Sequence, residues 1–201
     1  MTIHLLAPQD KSKWPELWHK CYNTISPLPY NIKIWSDEEI DKELFNDNKD
    51  FYNNFLNHLH PIYKWDYIRY LIFEKYGGAY LDMDVEIISN FFELLDLNKI
   101  YISEGHWNCS VSNHIIVSPI NYIVWNSIKE KSKLNIMENF TKCKEDPNNV
   151  LNTVGPIFLS NFTHIWDFSY QKLSFHHFSN VNSTLSFSKH HCTGIWSAST
   201  T

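Results

Sequence analysis

The chain opens on an apolar run, Thr2 to Leu6, which predicts a first strand whose end points His4 or Ala7 toward a crevice. Pro15 to Tyr22 predicts a short helix with proline near its first turn, and Tyr30 to Trp35 alternates as a second parallel strand. Ser36-Asp-Glu-Glu39 is a capping-box pattern that opens a helix reaching about Phe45, and Phe51 to Leu59 continues helically until Pro61. A longer helix follows from about Ile62 to Tyr76. Its apolar stripe is Trp65, Ile68, Leu71 and Ile72, and Gly77-Gly78 stop it. Strands are expected at Ala79 to Leu81, Val85 to Ile88, Ile100 to Ser103 and Ile115 to Ser118, with strand-like pieces at Lys172 to Phe178 and Thr184 to Phe187. Asn90 to Leu95, Ile120 to Lys131 and Val150 to Phe162 read as helices, and His190 to Trp196 as a loop. Strands alternating with helices predict an α/β fold, a mostly parallel central sheet flanked by helices.

Composition narrows this little, but it excludes whole classes. The 201 residues are 43% apolar and 16% aromatic, enough for one α/β domain over residues 1–201 with a real core. A net charge of −5 leaves no basic footprint for nucleic acid or anionic lipid. No signal peptide or transmembrane segment is expected from the start Met-Thr-Ile-His-Leu-Leu. Cys21, Cys109, Cys143 and Cys192 show no CxxC spacing, so free thiols in a reducing, cytoplasmic setting is the plain reading.

The chemistry concentrates between Asp66 and Asp84. On a strand, Asp82 and Asp84 would point the same way with Met83 opposed. Two like charges on one side call for a cation between them, and hard carboxylate oxygens suit Mn²⁺ or Mg²⁺. Asp66, Arg69 and Tyr70 share a helical face at i, i+3 and i+4. Arg69 is the chain's only arginine, a planar fork of donors suited to a carboxylate or a phosphate. Together these residues read as a divalent-metal and diphosphate site. An acidic turn and a plain helical ion pair are the simpler alternatives. Gly77-Gly78 either cap the helix or let a nucleotide approach the backbone. His58-Leu-His60 and His176-His177 lack a third ligand nearby and read as structural, while Glu104 and His106 follow a strand end and Trp14, Trp18, Trp35, Trp107 and Trp125 read as core or pocket wall.

The run Asp66-Tyr-Ile-Arg-Tyr70 followed by Tyr76-Gly-Gly-Ala-Tyr-Leu-Asp-Met-Asp-Val-Glu86 resembles the DxD-containing sugar-binding region of a glycosyltransferase family. That family is typified by the yeast initiating α-1,6-mannosyltransferase and is similar to bacterial capsular glycosyltransferases. The resemblance implies a GT-A-type domain, with a donor region at about 62–90, that moves a hexose from a UDP- or GDP-sugar to a glycan, lipid-linked or protein-linked acceptor with retention of configuration. It implies that Asp84 chelates the cation, that Asp82 contacts the ion and the ribose, and that Asp66 and Arg69 meet the donor sugar. His190-His-Cys-Thr-Gly-Ile-Trp196 is similar to the family's closing His-His-x-x-Gly-Ser-Trp segment, with Ile195 in place of the serine. One of His190 and His191 would complete the metal sphere, His191 being preferred, with Trp196 against the diphosphate. Asn113 and Gly155, within Asn152-Thr-Val-Gly-Pro156, match looser positions beside the donor, and His4, Tyr70, Gly77 and Gly78 complete the expected donor pocket.

Two other classes stay open at this point. Ala79-Tyr-Leu-Asp-Met-Asp-Val85 also resembles the nucleophile motif of haloacid-dehalogenase-type phosphatases, with Asp82 attacking phosphate. That family puts the motif on its first strand, which here it does not occupy. The third reading is a module that binds nucleotide sugar without transferring it.

Overall fold

The computed structural model describes residues 1–105, 109–165, 169–180 and 182–193. In chain order its elements are β1 (Thr2–Leu6), α1 (Glu16–Ile25), β2 (Asn31–Trp35), α2 (Asp37–Glu43), α3 (Lys49–Asn54), α4 (Pro61–Lys75), β3 (Gly78–Leu81), β4 (Val85–Ile87), β5 (Ile100–Glu104), β6 (Val111–Ser118), α5 (Val124–Glu138), α6 (Phe140–Glu145), α7 (Val150–Thr153), α8 (Pro156–Ile165), β7 (Tyr170–Leu173), α9 (Phe175–Phe178) and β8 (Ser188–His190). Six strands form one sheet in the order β2-β1-β3-β6-β5-β7. β6 alone runs against its neighbours; the pairs β1–β2, β1–β3 and β5–β7 are parallel. β4 and β8 form a separate antiparallel pair.

Period-two alternation explains how the sheet is covered on both faces. Ile3, Leu5, Ala79 and Leu81 bury into one apolar cluster with Met83, Val85 and Phe178. Tyr80 and Trp35 turn to the other, larger cluster, built on α4 and α5. α4 packs against α5 and shares the larger apolar cluster with the sheet residues Tyr80, Ile102 and Ile116, so ten of its 15 residues are buried and its apolar surface is wider than the expected stripe. The capping box of α2 forms as the sequence predicts, with Ser36 Oγ accepting from Glu39 N–H and the Glu39 carboxylate accepting from Ser36 N–H.

Several boundaries differ from the sequence reading, each for a local reason. The helix expected over Phe51 to Leu59 is split into α3 and a 3₁₀ turn at Leu56–His58. Gly155-Pro156 breaks the helix expected from Val150 into α7 and α8, because proline cannot continue a helix through its missing N–H. Phe175–Phe178 is a helical turn where a strand is expected, and the 184–187 segment is a turn that precedes β8. β6 starts four residues early, at Val111, so that its polar residues Ser112, Asn113 and His114 lie on a strand.

Gly77 (φ +59°) and Gly78 (φ +92°) join α4 to β3 in the left-handed region. A Cβ at Gly77 would stand 2.5 Å from Ile120 N, and one at Gly78 would stand 2.4 Å from Thr2 O. Gly77→Ala is therefore expected to cost about 2 kcal/mol or more, combining αL strain with a backbone clash. A urea midpoint unchanged from wild type would contradict this.

Candidate active site

The two carboxylates are presented by a turn and not by the strand itself. β3 ends at Leu81, Asp82 N–H makes one last ladder bond to His114 O (2.9 Å), and Val85 N–H closes back on Asp82 O (3.0 Å). Met83 is buried in the apolar cluster behind the turn, which leaves Asp82 and Asp84 on its open side. β8 then returns beside β4 and delivers His190. Its Nε2 lies 3.3 Å from Asp84 Oδ1 and 4.0 Å from Asp82 Oδ2. One ligand atom from each of the three residues lies within 4.8 Å of the other two, so Asp82, Asp84 and His190 could hold a metal ion.

Arg69 ties this turn to α4. Its Nη1 donates to Asp66 Oδ1 (2.7 Å) and its Nη2 to Asp82 Oδ1 (2.8 Å), while its guanidinium lies 4.8 Å over the Tyr80 ring. Tyr80 O–H donates to the same Asp82 oxygen at 2.7 Å. Asp66 and Arg69 are only 4% and 6% exposed, so this is a buried ion network and not a surface pair. Burial pushes the Asp66 carboxyl up to about 6 despite the opposing Arg69 charge, and raises Asp82 as well. Burial works against a charged Arg69, but Asp66 and Asp82 outweigh it. Asp84 goes the other way. Burial is outweighed by bonds from His190 and from the Thr193 N–H and O–H (2.9 Å each), which hold the carboxyl well below its usual range. His190 also resists its burial, because Asp84 and Cys192 raise it to about 10.

These groups line a cavity of about 370 Å³ at the carboxyl ends of β1, β2 and β3, where α/β sheets usually bind ligands. Leu6, Ala7 and Pro8 form one wall, Trp35 and Trp65 flank it, and Asn113 and His114 enter from β6. Arg69 Nε is buried there without a hydrogen-bond partner, which leaves a donor for a ligand, and the buried Asn113 amide faces the Asp66 carboxylate.

Other residues singled out from the sequence lie elsewhere. His4 is buried on β1, with Nδ1 accepting from Trp35 Nε1–H (3.0 Å) and Nε2–H donating to Gly77 O (2.9 Å). Gly77 and Gly78 sit at the opening end of β3 and are not among the residues that line the cavity. Tyr70 is fully buried, its O–H donating to Val154 O (2.7 Å) and its ring stacked on Trp125. His191 follows the ligand-bearing residue but turns aside, with Nε2–H donating to Glu86 Oε2 (2.9 Å). The expected preference for His191 thus gives way to His190 on geometry. Gly155 packs behind the site, where a Cβ would stand 3.0 Å from Asp66 Oδ2. Glu104 is taken up by Phe175 N–H (2.8 Å). His106, Trp107, Ile195 and Trp196 lie outside the described residues. Nothing in the sequence singles out His114, which reaches the DxD turn across the fold, and Thr193 is visible there only as a member of the 190–196 segment.

His4 makes a pH-dependent contribution that can be measured. Burial lowers its pKa from 6.5 to about 4, so the folded state resists a proton that the unfolded chain takes up. This stability is complete above pH 6.5 and is lost as pH falls toward 4, amounting to about 3 kcal/mol. The stability gap between wild type and His4→Gln is expected to narrow by that amount from pH 7 to 4. Parallel urea midpoints across this range would contradict the assignment.

A mostly parallel sheet with a DxD turn at the strand ends, an arginine between two aspartates and a histidine on a returning strand defines the GT-A class of glycosyltransferase fold. Residues 13–107 match the family described as glycosyltransferase sugar-binding region containing DXD motif, and the chain carries that region. It is 35% identical over 71 residues to mannosyl phosphorylinositol ceramide synthase SUR1 of Saccharomyces cerevisiae, covering 35% of this chain and 18% of that protein. It is 33% identical over 73 residues to inositol phosphoceramide mannosyltransferase 3 of Schizosaccharomyces pombe, covering 35% of this chain and 20% of that one. The chain therefore spans about a fifth of the length of these curated relatives. Among solved structures, the PaToxG glycosyltransferase superposes with a TM-score of 0.61 at 16% identity, over 82% of this chain and 68% of that one, a likeness of fold.

Proposed function

We propose that this chain, acting as one catalytic domain, transfers a hexose from a UDP- or GDP-sugar to a hydroxyl of a glycan or of a lipid- or protein-linked sugar. The observation that carries the reading is the convergence of Asp82, Asp84 and His190 on one cavity. Two carboxylate oxygens and one imidazole nitrogen form a donor set that suits Mn²⁺ or Mg²⁺. A cation held there would neutralise charge on the departing nucleoside diphosphate. Asp66 and Arg69 would orient sugar hydroxyls, and the Asn113 amide and Arg69 Nε would donate to donor oxygens. Thr193 keeps Asp84 ionised and fixed.

Retention of configuration is supported by how the cavity's carboxylates are used. Asp66 and Asp82 are engaged by Arg69, Asp84 by His190 and Thr193, and Asp37 by Lys64. None of these four is left free as the base that an inverting displacement needs. A phosphatase using Asp82 as nucleophile is not favoured, since the motif strand is third in the chain and Asp82 Oδ1 already accepts from Arg69 and Tyr80, while its other oxygen faces His190 and Asp84. A cytosolic setting is supported by four free cysteines. No helix among the described residues is long and apolar enough to cross a membrane.

The test is release of nucleoside diphosphate from a panel of UDP- and GDP-sugars with Mn²⁺ and with EDTA. Metal-dependent release from one donor is expected. Donor binding without release from any of the panel, acceptors included, would favour a binding module, and no binding would end the transferase reading.

A further inference from the structure

His114 is a buried residue of the cavity wall that the donor chemistry does not use. Its ring lies 4.0 Å from that of His190 at an interplanar angle of 12°, a parallel stack beneath the third ligand. Both of its nitrogens are held: Nδ1 is 2.8 Å from Ser112 Oγ and Nε2 is 2.8 Å from Ser179 Oγ. A hydroxyl can donate or accept, so two serines satisfy a neutral imidazole in either tautomer and lock its plane. The main chain repeats the connection. His114 O accepts from Asp82 N–H (2.9 Å), and Ser179 O accepts from His190 N–H (3.1 Å). One residue thus touches the turn that carries the first carboxylate and the ring that completes the set.

The need for such support follows from the topology. β8 is three residues long and pairs with β4, outside the six-stranded sheet. A ligand on so short a strand takes its side-chain orientation from its surroundings: Cys192 Sγ stands 3.3 Å from its Nδ1, at the ring edge, and leaves the ring face to be supported. The partner of His190 within the main sheet is the His114 ring, which is 3% exposed.

We propose that His114 is a positioning residue, a flat floor that aims His190 Nε2 at the space between Asp82 and Asp84 and so sets affinity for the divalent cation. The inference rests on the metal site proposed above. Outer-shell supports of metal ligands typically change affinity 10- to 100-fold.

Calorimetric titration of the protein with Mn²⁺ alone tests it, using wild type, His114→Ala, His114→Phe, His190→Ala and the double variant His114→Ala/His190→Ala. His114→Ala is expected to weaken Mn²⁺ binding about tenfold or more. His114→Phe keeps a flat ring and is expected to bind within a few-fold of wild type, which also shows that the site tolerates loss of the serine bonds. In the His190→Ala background, removal of the His114 ring is expected to have no further effect, because the floor acts through His190. Wild-type affinity in His114→Ala would overturn the proposal, as would equal losses in the Ala and Phe variants or additive losses in the double variant. If wild type itself binds no Mn²⁺, the metal site fails and this inference fails with it. If wild type binds and His114→Ala binds equally well, the positioning role alone fails.

Discussion

Asp84→Asn is expected to reduce metal-dependent release of nucleoside diphosphate by about a thousandfold, with the fold intact. Asp84 is the site's firmest anion, since His190 and both Thr193 donors hold its carboxyl ionised far into acid. The amide keeps the shape and removes the charge. If a cation at this turn supplies several kcal/mol to the transition state, losing its best anionic ligand forfeits most of that, and each 1.36 kcal/mol is about tenfold in rate. Turnover at saturating Mn²⁺ and thermal unfolding would be measured side by side. Activity within tenfold of wild type, with unfolding unchanged, would remove Asp84 from the proposed metal set.

The second large effect falls on stability. Arg69→Met is expected to cost about 3 to 5 kcal/mol, because it leaves buried Asp66 and Asp82 without their shared counter-charge. Asp66 is already pushed up to about 6 by burial with Arg69 present, so without it the carboxyl would be driven to take up a proton. Adding Asp66→Asn should recover part of the loss, since one buried charge then needs no partner. Lysine is not an adequate replacement, as a single ammonium cannot reproduce the fork that meets two carboxylates at 2.7 and 2.8 Å. Denaturant unfolding of the three variants checks this, and a loss below about 1 kcal/mol for Arg69→Met would show that the network is not a structural one.

Much of this arrangement was legible wherever a local rule governs it. β1 is found at its expected bounds, β2 and α4 within a residue of theirs, and the α2 capping box forms because Ser36 and Glu39 carry their own instructions. The pairing of Asp66, Arg69 and Asp82 was half visible, because helical spacing gives Asp66–Arg69 but not the reach to the turn. What failed was non-local. The apolar pattern starts β6 only at Ile115, since Ser112, Asn113 and His114 are polar, yet pairing with β5 makes them strand and brings His114 to the site. His190 and His191 are adjacent in sequence and cannot be ranked there. β4 pairing decides between them, placing His190 opposite Val85 and giving His191 to Glu86. His4 is expected in the donor pocket from its strand and Gly77-Gly78 from their place beside the motif; in the fold His4 is held by Trp35 Nε1–H and Gly77 O, and Gly77 lies against the Ile120 backbone.

The central claim is that the DxD turn and β8 together make a divalent-cation site with one imidazole ligand. Electron paramagnetic resonance of bound Mn²⁺, with detection of nitrogen coupling, tests it most directly. Wild type and His191→Ala are expected to bind Mn²⁺ with a directly ligated ¹⁴N, and His190→Ala to lose that coupling and bind at least about tenfold more weakly. A nitrogen coupling that survives His190→Ala, or Mn²⁺ binding indifferent to both Asp84→Asn and His190→Ala, would contradict the account.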